Sequence, residues 1–309
     1  MKKQIAVILG PTATGKSHCG IALAQALDGE IISGDSMLVY RGMDIGTAKP
    51  TAEELALVTH HMVDILPPEA SFNVVDFKER AERLIDEITA RGKLPIIVGG
   101  TGLYIKALLE DYKFSSKGED SALRAELEAL LAEQGKDALY ARLEKSAPAE
   151  AGKIDINNTR RVIRAIEAAE SGDDLSHSKS EELVYDAAVF GLRMERSVLY
   201  ERINRRVDIM LEQGLIEETR RLLEEGVPEM AQSMQAIGYR QTVLYLKGEW
   251  DKATAVDKIK QATRNFAKRQ FTWYKKMPYV KWFNLDAEPN YENVTSEMIK
   301  TVVEKFKIG

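Results

Sequence analysis

A phosphate-binding sequence lies close to the start of the chain. Gly10, Pro11, Thr12, Ala13, Thr14, Gly15, Lys16 and Ser17 fit the pattern G-x-x-x-x-G-K-[ST] without a mismatch. In this pattern, backbone N–H groups and a helix N-terminus surround phosphate oxygens, the lysine adds positive charge, and the serine hydroxyl ligates Mg²⁺. The spacing therefore predicts a site for a di- or triphosphate with Mg²⁺ at Ser17. The alternative is a glycine-rich turn without a ligand.

Two polar residues follow predicted strands and are candidates for the chemistry of that site. Asp35 lies just past a predicted strand at 30–33, after Gly34, and Thr101 lies in the glycine-rich stretch 99–102. Asp35 could hold a metal through water or accept a proton from a nucleophile. Thr101 could position a phosphate or a nucleophile. Asp35 could instead be a helix N-cap or a turn aspartate, and Thr101 could be an ordinary helix N-cap.

A pair of arginines offers a second anion site. Arg202 and Arg206 are four residues apart in a predicted helix, so they share one face. Such a pair can clamp a leaving diphosphate. The alternative is a pair of solvated arginines that are neutralised by Glu201 and Asp208.

A basic and aromatic segment points to RNA. The chain carries 43 Lys and Arg against 48 Asp and Glu, a net charge of −5, yet the segment 258–281 has eight basic residues and no acid. Aromatic residues are interleaved with the bases, a combination suited to phosphate contacts and base stacking. The alternative makes the aromatics a core face, and in part we expect both, with Phe266 and Trp273 buried. A smaller basic cluster lies at Arg160, Arg161 and Arg164.

The surrounding elements predict how these residues are positioned. Predicted strands at 5–9, 30–33 and 95–98 alternate with helical patterns, which favours an α/β fold with a parallel sheet covered by helices on both faces. Ligands then lie at the carboxyl ends of the strands. After residue 112 a charged helical region follows a linker at 114–118 and ends in a polar loop at 171–179. We therefore predict a core of 1–112 plus 184–309 and a helical insertion domain, 113–183.

Composition excludes several classes of protein. Of the 309 residues, 44% are apolar and 29% are charged, values of a globular protein. The one cysteine, Cys19, allows no intramolecular disulfide and fits a reducing compartment, so we expect a cytoplasmic protein. Apolar runs are far shorter than the ~18 residues that span a membrane.

The motifs together resemble one family, the bacterial tRNA dimethylallyltransferases (tRNA isopentenyltransferases). The matching stretches run in order through nearly the whole chain: 10–17, 35–41, 43–50, 60–65, 98–108, 157–165, 235–241 and 263–274. The resemblance implies transfer of a dimethylallyl group from dimethylallyl diphosphate to N6 of the tRNA adenosine 3′ of the anticodon. It also implies Mg²⁺ dependence, a P-loop kinase-like core and an insertion that grips the anticodon stem-loop.

The resemblance also implies roles for individual residues. The loop 10–17 would hold the donor diphosphate, with Lys16, Arg202 and Arg206 stabilising it as it leaves. Asp35 would accept the N6 proton, and Thr101 would line the channel between the substrates. The residues expected to contact tRNA are Asp35, Ser36, Met37, Leu38, Thr101, Arg124, Arg160, Arg161, Arg164, Gly238, Tyr239, Arg240, Lys268, Arg269 and Trp273.

Two other functions remain open at this stage. A P-loop kinase of a small molecule explains residues 1–110 equally well, but it does not explain the basic aromatic segment. A tRNA-binding module without catalysis explains that segment, but Lys16, Ser17 and Asp35 argue against it. We expect a monomer with no membrane partner.

Overall fold

The computed structural model describes residues 2–114, 121–171 and 182–308. The chain divides into two compact units, Met1–Asp111 with Glu182–Gly309, and Tyr112–Glu181. These boundaries lie within two residues of the predicted ones. The predicted linker at 114–118 and polar loop at 171–179 fall, apart from residues 114 and 171, outside the described residues.

The described residues form six strands, twelve helices and a short 3₁₀ turn. The strands are β1 (Gln4–Leu9), β2 (Gly29–Ser33), β3 (His60–His61), β4 (Leu94–Gly99), β5 (Asp186–Met194) and β6 (Lys281–Leu285). The helices are α1 (Lys16–Ala26), α2 (Ala52–Leu57), α3 (Val74–Ala90), α4 (Gly102–Leu109), α5 (Ser121–Ser146), α6 (Pro148–Ala151), α7 (Thr159–Ser171), α8 (Arg196–Glu212), α9 (Leu215–Glu224), α10 (Tyr239–Leu246), α11 (Lys252–Tyr274) and α12 (Tyr291–Phe306). None of these helices has the length and apolarity that crossing a bilayer requires.

The larger unit is built on one parallel sheet in the order β3-β2-β4-β1-β5-β6. Residues 5–9 of the central strand β1 are all buried, which explains their continuous apolar run. Side chains alternate between the two faces of a strand. Accordingly, Val7 joins a core with residues of α3 and α4, while Ile8 joins another with residues of α1 and α12. The predicted α/β fold with helices on both faces is confirmed.

The smaller unit consists of α5, α6 and α7. Leu127, Leu139 and Leu143 of α5 and Ile163 and Ile166 of α7 form its apolar core. Helix α5 is interrupted at Gly135, where φ is 80° and ψ is 179°.

Short elements escaped prediction. Strand β3 has only two residues, and α2 and α10 have six and eight, so each is too short to show a clear hydrophobic period. Helices α8 and α9 are separate, because Gly214 adopts a φ of 103° between them.

Candidate active site

The loop between β1 and α1 is the centre of the site. It follows the carboxyl end of β1 and leads into the N-terminus of α1, as the motif predicts. Gly15, the residue before the helix, has a φ of 84°, and a Cβ there would lie 2.4 Å from Cε1 of Tyr291. Only glycine fits this position, because the backbone is left-handed and an aromatic ring covers it.

Side chains hold the carbonyl oxygens of this loop. The acceptor and donor pairs are Gly10 with Tyr274 (3.1 Å), Pro11 with Lys16 (2.7 Å), Ala13 with Arg202 (3.0 Å) and Thr14 with Tyr291 (3.3 Å). Three of the four donors come from helices α8, α11 and α12, far along the chain. With these carbonyls engaged, N–H groups of the loop and the N-terminus of α1 remain to bind an anion.

Three cations converge on the loop. Arg202 donates to the carbonyl of Ala13, and Arg206 acts on Lys16 through its charge. Desolvation in the loop, reinforced by Arg206, lowers the pKa of Lys16 to about 7, and the charge of Asp35 opposes this shift. Desolvation also lowers the pKa of Arg206, against the charge of Asp35 and of Glu54. An anion bound beside these groups would favour their charged forms and raise both pKa values.

The arginines are not neutralised by their helix neighbours. Asp208 pairs with Lys260 at 2.6 Å, and Arg202 donates to Tyr291 at 3.0 Å. Within the described ranges, Arg206 makes no hydrogen bond or ion pair. The acids whose charge acts on it are Asp35 and Glu54, which it does not contact. The alternative in which Glu201 and Asp208 satisfy the pair is therefore wrong.

Asp35 and Thr101 lie on adjoining loops at the same edge of the sheet. The N–H of Ser36 donates to the hydroxyl of Thr101 at 3.2 Å, and the N–H of Thr101 donates to the carbonyl of Gly34 at 3.2 Å. Thr101 occupies the N-cap position of α4, but its hydroxyl makes no capping bond. The N-cap interpretation of that hydroxyl is thus wrong, and the side chain instead joins the loops that follow β2 and β4.

The carboxylate of Asp35 has one oxygen engaged locally. Oδ1 accepts the N–H of Met37 at 2.8 Å, which makes a tight turn after β2. Oδ2 has no hydrogen bond within the part of the chain that the structure describes. Asp35 is half-buried, and its negative charge acts on both Lys16 and Arg206. A proton acceptor therefore faces the cations that surround the loop.

Helix α11 presents two different faces. Ala267, Gln270 and Tyr274 are buried against the sheet, whereas Lys268, Arg269 and Trp273 are exposed. The expectation that Trp273 is buried is wrong, because 37% of it is exposed, and Phe266 is half-buried. The helical spacing of three and four residues assigns the inward positions to Gln270 and Tyr274.

Trp273 lies next to the turn that carries Thr101. A Cβ placed on Gly102 would lie 2.5 Å from the Cβ of Trp273. Beside it, the guanidinium of Arg269 lies 5.8 Å from the ring of Phe266. The exposed face of α11 thus offers an aromatic ring and two cations close to the candidate site.

The three residues 238–240, which were expected to contact tRNA, differ in their exposure. Gly238 and Tyr239 are buried, and only Arg240 is exposed. The hydroxyl of Tyr239 donates to Glu218 at 2.5 Å. The expectation that the side chain of Tyr239 contacts tRNA is therefore wrong for this conformation, and its partner gives it a structural role.

Glu218 binds the backbone of the segment 44–46, which follows Asp35 along the chain. Its carboxylate accepts the N–H groups of Asp44 (2.9 Å), Ile45 (3.0 Å) and Gly46 (3.1 Å). Together with the hydroxyl of Tyr239, these donors satisfy a buried carboxylate. The segment 44–46 is thereby held in one place.

In the smaller unit, the predicted tRNA contacts also differ from one another. Arg124 forms a two-pronged ion pair with buried Glu167, with both N–O distances at 2.9 Å. Arg164 approaches the same carboxylate at 3.7 Å. Arg160 and Arg161 are exposed at the start of α7. Arg160 and Arg161 are thus the more accessible of the predicted contacts in this unit.

The site contains residues that the sequence analysis did not single out. Tyr291 belongs to none of the motifs named above, and Gln270 enters them only as part of the matching stretch 263–274. Gln270 accepts the N–H of Thr12 at 3.2 Å and donates to the carbonyl of Gly100 at 2.8 Å. No local pattern distinguishes these residues, because their side-chain contacts join positions that are 89 to 277 residues apart.

Comparison with known proteins gives a consistent result. The model of the family described as IPP transferase matches residues 38–277. A tRNA dimethylallyltransferase of an Exiguobacterium strain is 46% identical over 99% of this chain and 99% of its own length. That of Geobacillus kaustophilus is 46% identical over 100% and 99%, respectively.

Solved structures agree with these relatives. The full-length tRNA isopentenylpyrophosphate transferase of Bacillus halodurans is 44% identical, covers 99% of both chains and has a TM-score of 0.73. A eukaryotic dimethylallyltransferase, described as acting on tRNA, is 27% identical over 97% of this chain and 78% of its own, with a TM-score of 0.75.

Proposed function

The chain belongs to the IPP transferase family, and from that premise we propose that it transfers a dimethylallyl group from dimethylallyl diphosphate to N6 of the tRNA adenosine 3′ of the anticodon. Relatives 46% identical over nearly the full chain are tRNA dimethylallyltransferases, so the protein is an enzyme of tRNA modification that transfers a prenyl group. The small-molecule kinase, which remained open from the sequence, has no such support.

The observation that carries the proposal is the charge arrangement around residues 10–17. Lys16, Arg202 and Arg206 form a cradle of cations around this loop, whose carbonyl oxygens accept hydrogen bonds from side chains. Arg206 has no acidic contact partner in the described ranges. Such a site suits the diphosphate of the prenyl donor. Its stabilisation of the leaving anion increases as the allylic C–O bond breaks.

The transfer step assigns a task to each group. The lone pair of N6 forms a bond to C1 of the dimethylallyl group, the C1–O bond breaks, and its electron pair leaves with the diphosphate. The cations around the loop stabilise that diphosphate. Asp35, with Oδ2 free of hydrogen bonds in the described structure, accepts the proton that N6 loses.

The tRNA would reach this site along the exposed side chains. Lys268, Arg269 and Trp273 lie on the outer face of α11, and Trp273 adjoins the turn of Thr101. The cations suit phosphates, and the indole ring suits an unstacked base. The adenosine must leave its stack to approach Asp35, as in base flipping. Ser36, Met37 and Leu38, half-buried beside Asp35, would then line its path.

The donor set of the site fits Mg²⁺ bound through the substrate. Within the described ranges, no cluster of three or more His, Cys, Asp and Glu side chains could hold a metal ion. A hard cation therefore needs oxygen ligands from the diphosphate and water, with the exposed hydroxyl of Ser17 as the protein ligand. Bound there, Mg²⁺ would neutralise part of the charge on the leaving diphosphate.

Two further features belong to the same proposal. We also propose that the enzyme acts as a monomer. Because the substrate is tRNA, we place the reaction in the cytoplasm.

Binding of the two possible donors tests the proposal. We expect dimethylallyl diphosphate with Mg²⁺ to bind at least about tenfold more tightly than ATP, and Arg206→Ala to weaken its binding by about tenfold or more. Arg205→Ala is the matched control, because Arg205 is the exposed neighbour of Arg206 on α8 and lies outside the cradle. Preferential binding of ATP, or equal effects of both variants, would contradict the proposal.

A further inference from the structure

Two loops that carry different parts of the proposed reaction are joined by one buried side chain. Gln270 of α11, only 4% exposed, contacts the loop after β1 and the turn after β4. Its Oε1 accepts the N–H of Thr12 at 3.2 Å, and its Nε2 donates to the carbonyl of Gly100 at 2.8 Å. The first loop would hold the diphosphate, and the second carries Thr101 on the tRNA side.

The two contacts require a side chain that donates and accepts at once, as the carboxamide of Gln270 does. One partner is an N–H donor and the other is a carbonyl acceptor, so the bridging group must accept and donate at once. A carboxylate cannot donate, and an ammonium cannot accept. A hydrocarbon side chain would leave both backbone groups unpaired in a buried position.

Tyr274 repeats the connection one helical turn further along α11. Its hydroxyl shares one proton between two acceptors, the carbonyl of Gly100 at 2.7 Å and that of Gly10 at 3.1 Å. Burial, reinforced by the charge of Asp35, raises the pKa of Tyr274, so the group stays a protonated donor. Two side chains of one rigid helix thus fix the same pair of loops.

We propose that Gln270 is a positioning residue for prenyl transfer. It holds the diphosphate loop and the Thr101 turn at a fixed distance from each other. This inference rests on the proposed function. Transfer requires N6 and C1 to meet in line at about 3–3.5 Å, and a displacement of about 1 Å can cost about a hundredfold in rate. Gln270 exchanges no proton with either substrate. It sets the distance between the loops that bind them.

Single-turnover transfer separates this role from binding. With saturating dimethylallyl diphosphate and tRNA, Gln270→Leu is expected to lower the rate about 10- to 100-fold. The Kd for each substrate should stay within about threefold of the wild-type value, since no cation of the cradle is removed. Gln261→Leu, an exposed glutamine on the same helix, is the matched control and should keep the wild-type rate.

Tyr274→Phe provides a second measurement that does not depend on the folding of Gln270→Leu. It removes one hydroxyl and should lower the single-turnover rate about three- to tenfold, again with little change in Kd. A wild-type rate in both variants would overturn the inference. So would a loss that appears entirely in Kd. If the wild-type protein itself transfers no dimethylallyl group, the proposed function fails, which is a different result from active variants.

Discussion

The hydroxyl of Tyr291 lies 3.0 Å from Nη2 of Arg202 and 3.3 Å from the carbonyl oxygen of Thr14. The last helix thereby attaches an arginine of α8 to the loop that would hold the diphosphate. A flexible guanidinium that is fixed in this way loses less entropy when the anion binds. The position of Arg202 in the cradle therefore depends on a residue that has no charge of its own.

Removing that hydroxyl should weaken donor binding. In Tyr291→Phe we expect KM for dimethylallyl diphosphate to rise about three- to tenfold, the value of one hydrogen bond, while the Kd for tRNA is unchanged. Steady-state kinetics with each substrate varied in turn measures this. Tyr200→Phe is the matched control, because Tyr200 also bonds an arginine, Arg196, at 3.0 Å. Equal KM values in both variants would contradict the role of Tyr291.

The affinity for the prenyl donor should fall as pH rises above neutrality. The pKa of Lys16 is about 7 in the free protein, and a bound diphosphate favours the charged form and raises it. Binding then takes up a proton at pH values between the two pKa values. In that window the affinity declines by up to about tenfold per pH unit, and below about pH 7 Lys16 contributes no further change.

Calorimetric titration of the donor between pH 6.5 and 9 measures this dependence, and buffers of different ionisation enthalpy report the proton uptake. Lys16→Arg is the control, since a guanidinium stays charged throughout the range. A wild-type affinity that is independent of pH would show that Lys16 is already charged before the donor binds.

Replacement of the proposed base should separate chemistry from binding. Asp35→Asn keeps an acceptor for the N–H of Met37 and so preserves the turn. We expect kcat to fall by about 100-fold or more, and the Kd for tRNA to stay within about twofold. Asp86→Asn, which alters a carboxylate paired with Lys3, is the control. An unchanged kcat in Asp35→Asn would refute the assignment.

The exposed face of α11 should contribute salt-dependent binding of tRNA. Replacing Lys268 and Arg269 together by Ala is expected to lower the slope of log K against log salt by about two, about one for each lost phosphate contact. The matched control replaces Lys300 and Lys305 of α12, which pair with Glu304 and Asp186. An unaltered slope in the first variant would remove this face from the tRNA interface.

The sequence predicts those parts of the site that depend on local pattern. Runs such as 5–9 and 95–98 predict buried strands, and the glycine and lysine spacing of 10–17 predicts the phosphate loop, because each signal is complete within a few residues. The parallel order of the strands then brings Asp35 and Thr101 to the same edge.

Tertiary contacts explain what the sequence does not predict. Gln270 meets Thr12 across 258 positions, and Tyr291 meets Thr14 across 277, so no periodicity reports either contact. The interleaved aromatic pattern also misassigned Trp273 to the core, and the family resemblance placed the buried Tyr239 among the tRNA contacts. Their exposure depends on which neighbours pack against them, and Tyr239 is held inside by Glu218.

The central claim is tested most directly by one incubation of the protein with dimethylallyl diphosphate labelled in the prenyl group, Mg²⁺ and unmodified tRNA that has adenosine 3′ of the anticodon. The account predicts label in the tRNA, on N6 of that adenosine, and none when guanosine replaces it. If no label enters the tRNA, or if label enters regardless of that base, the assigned reaction or its site is contradicted.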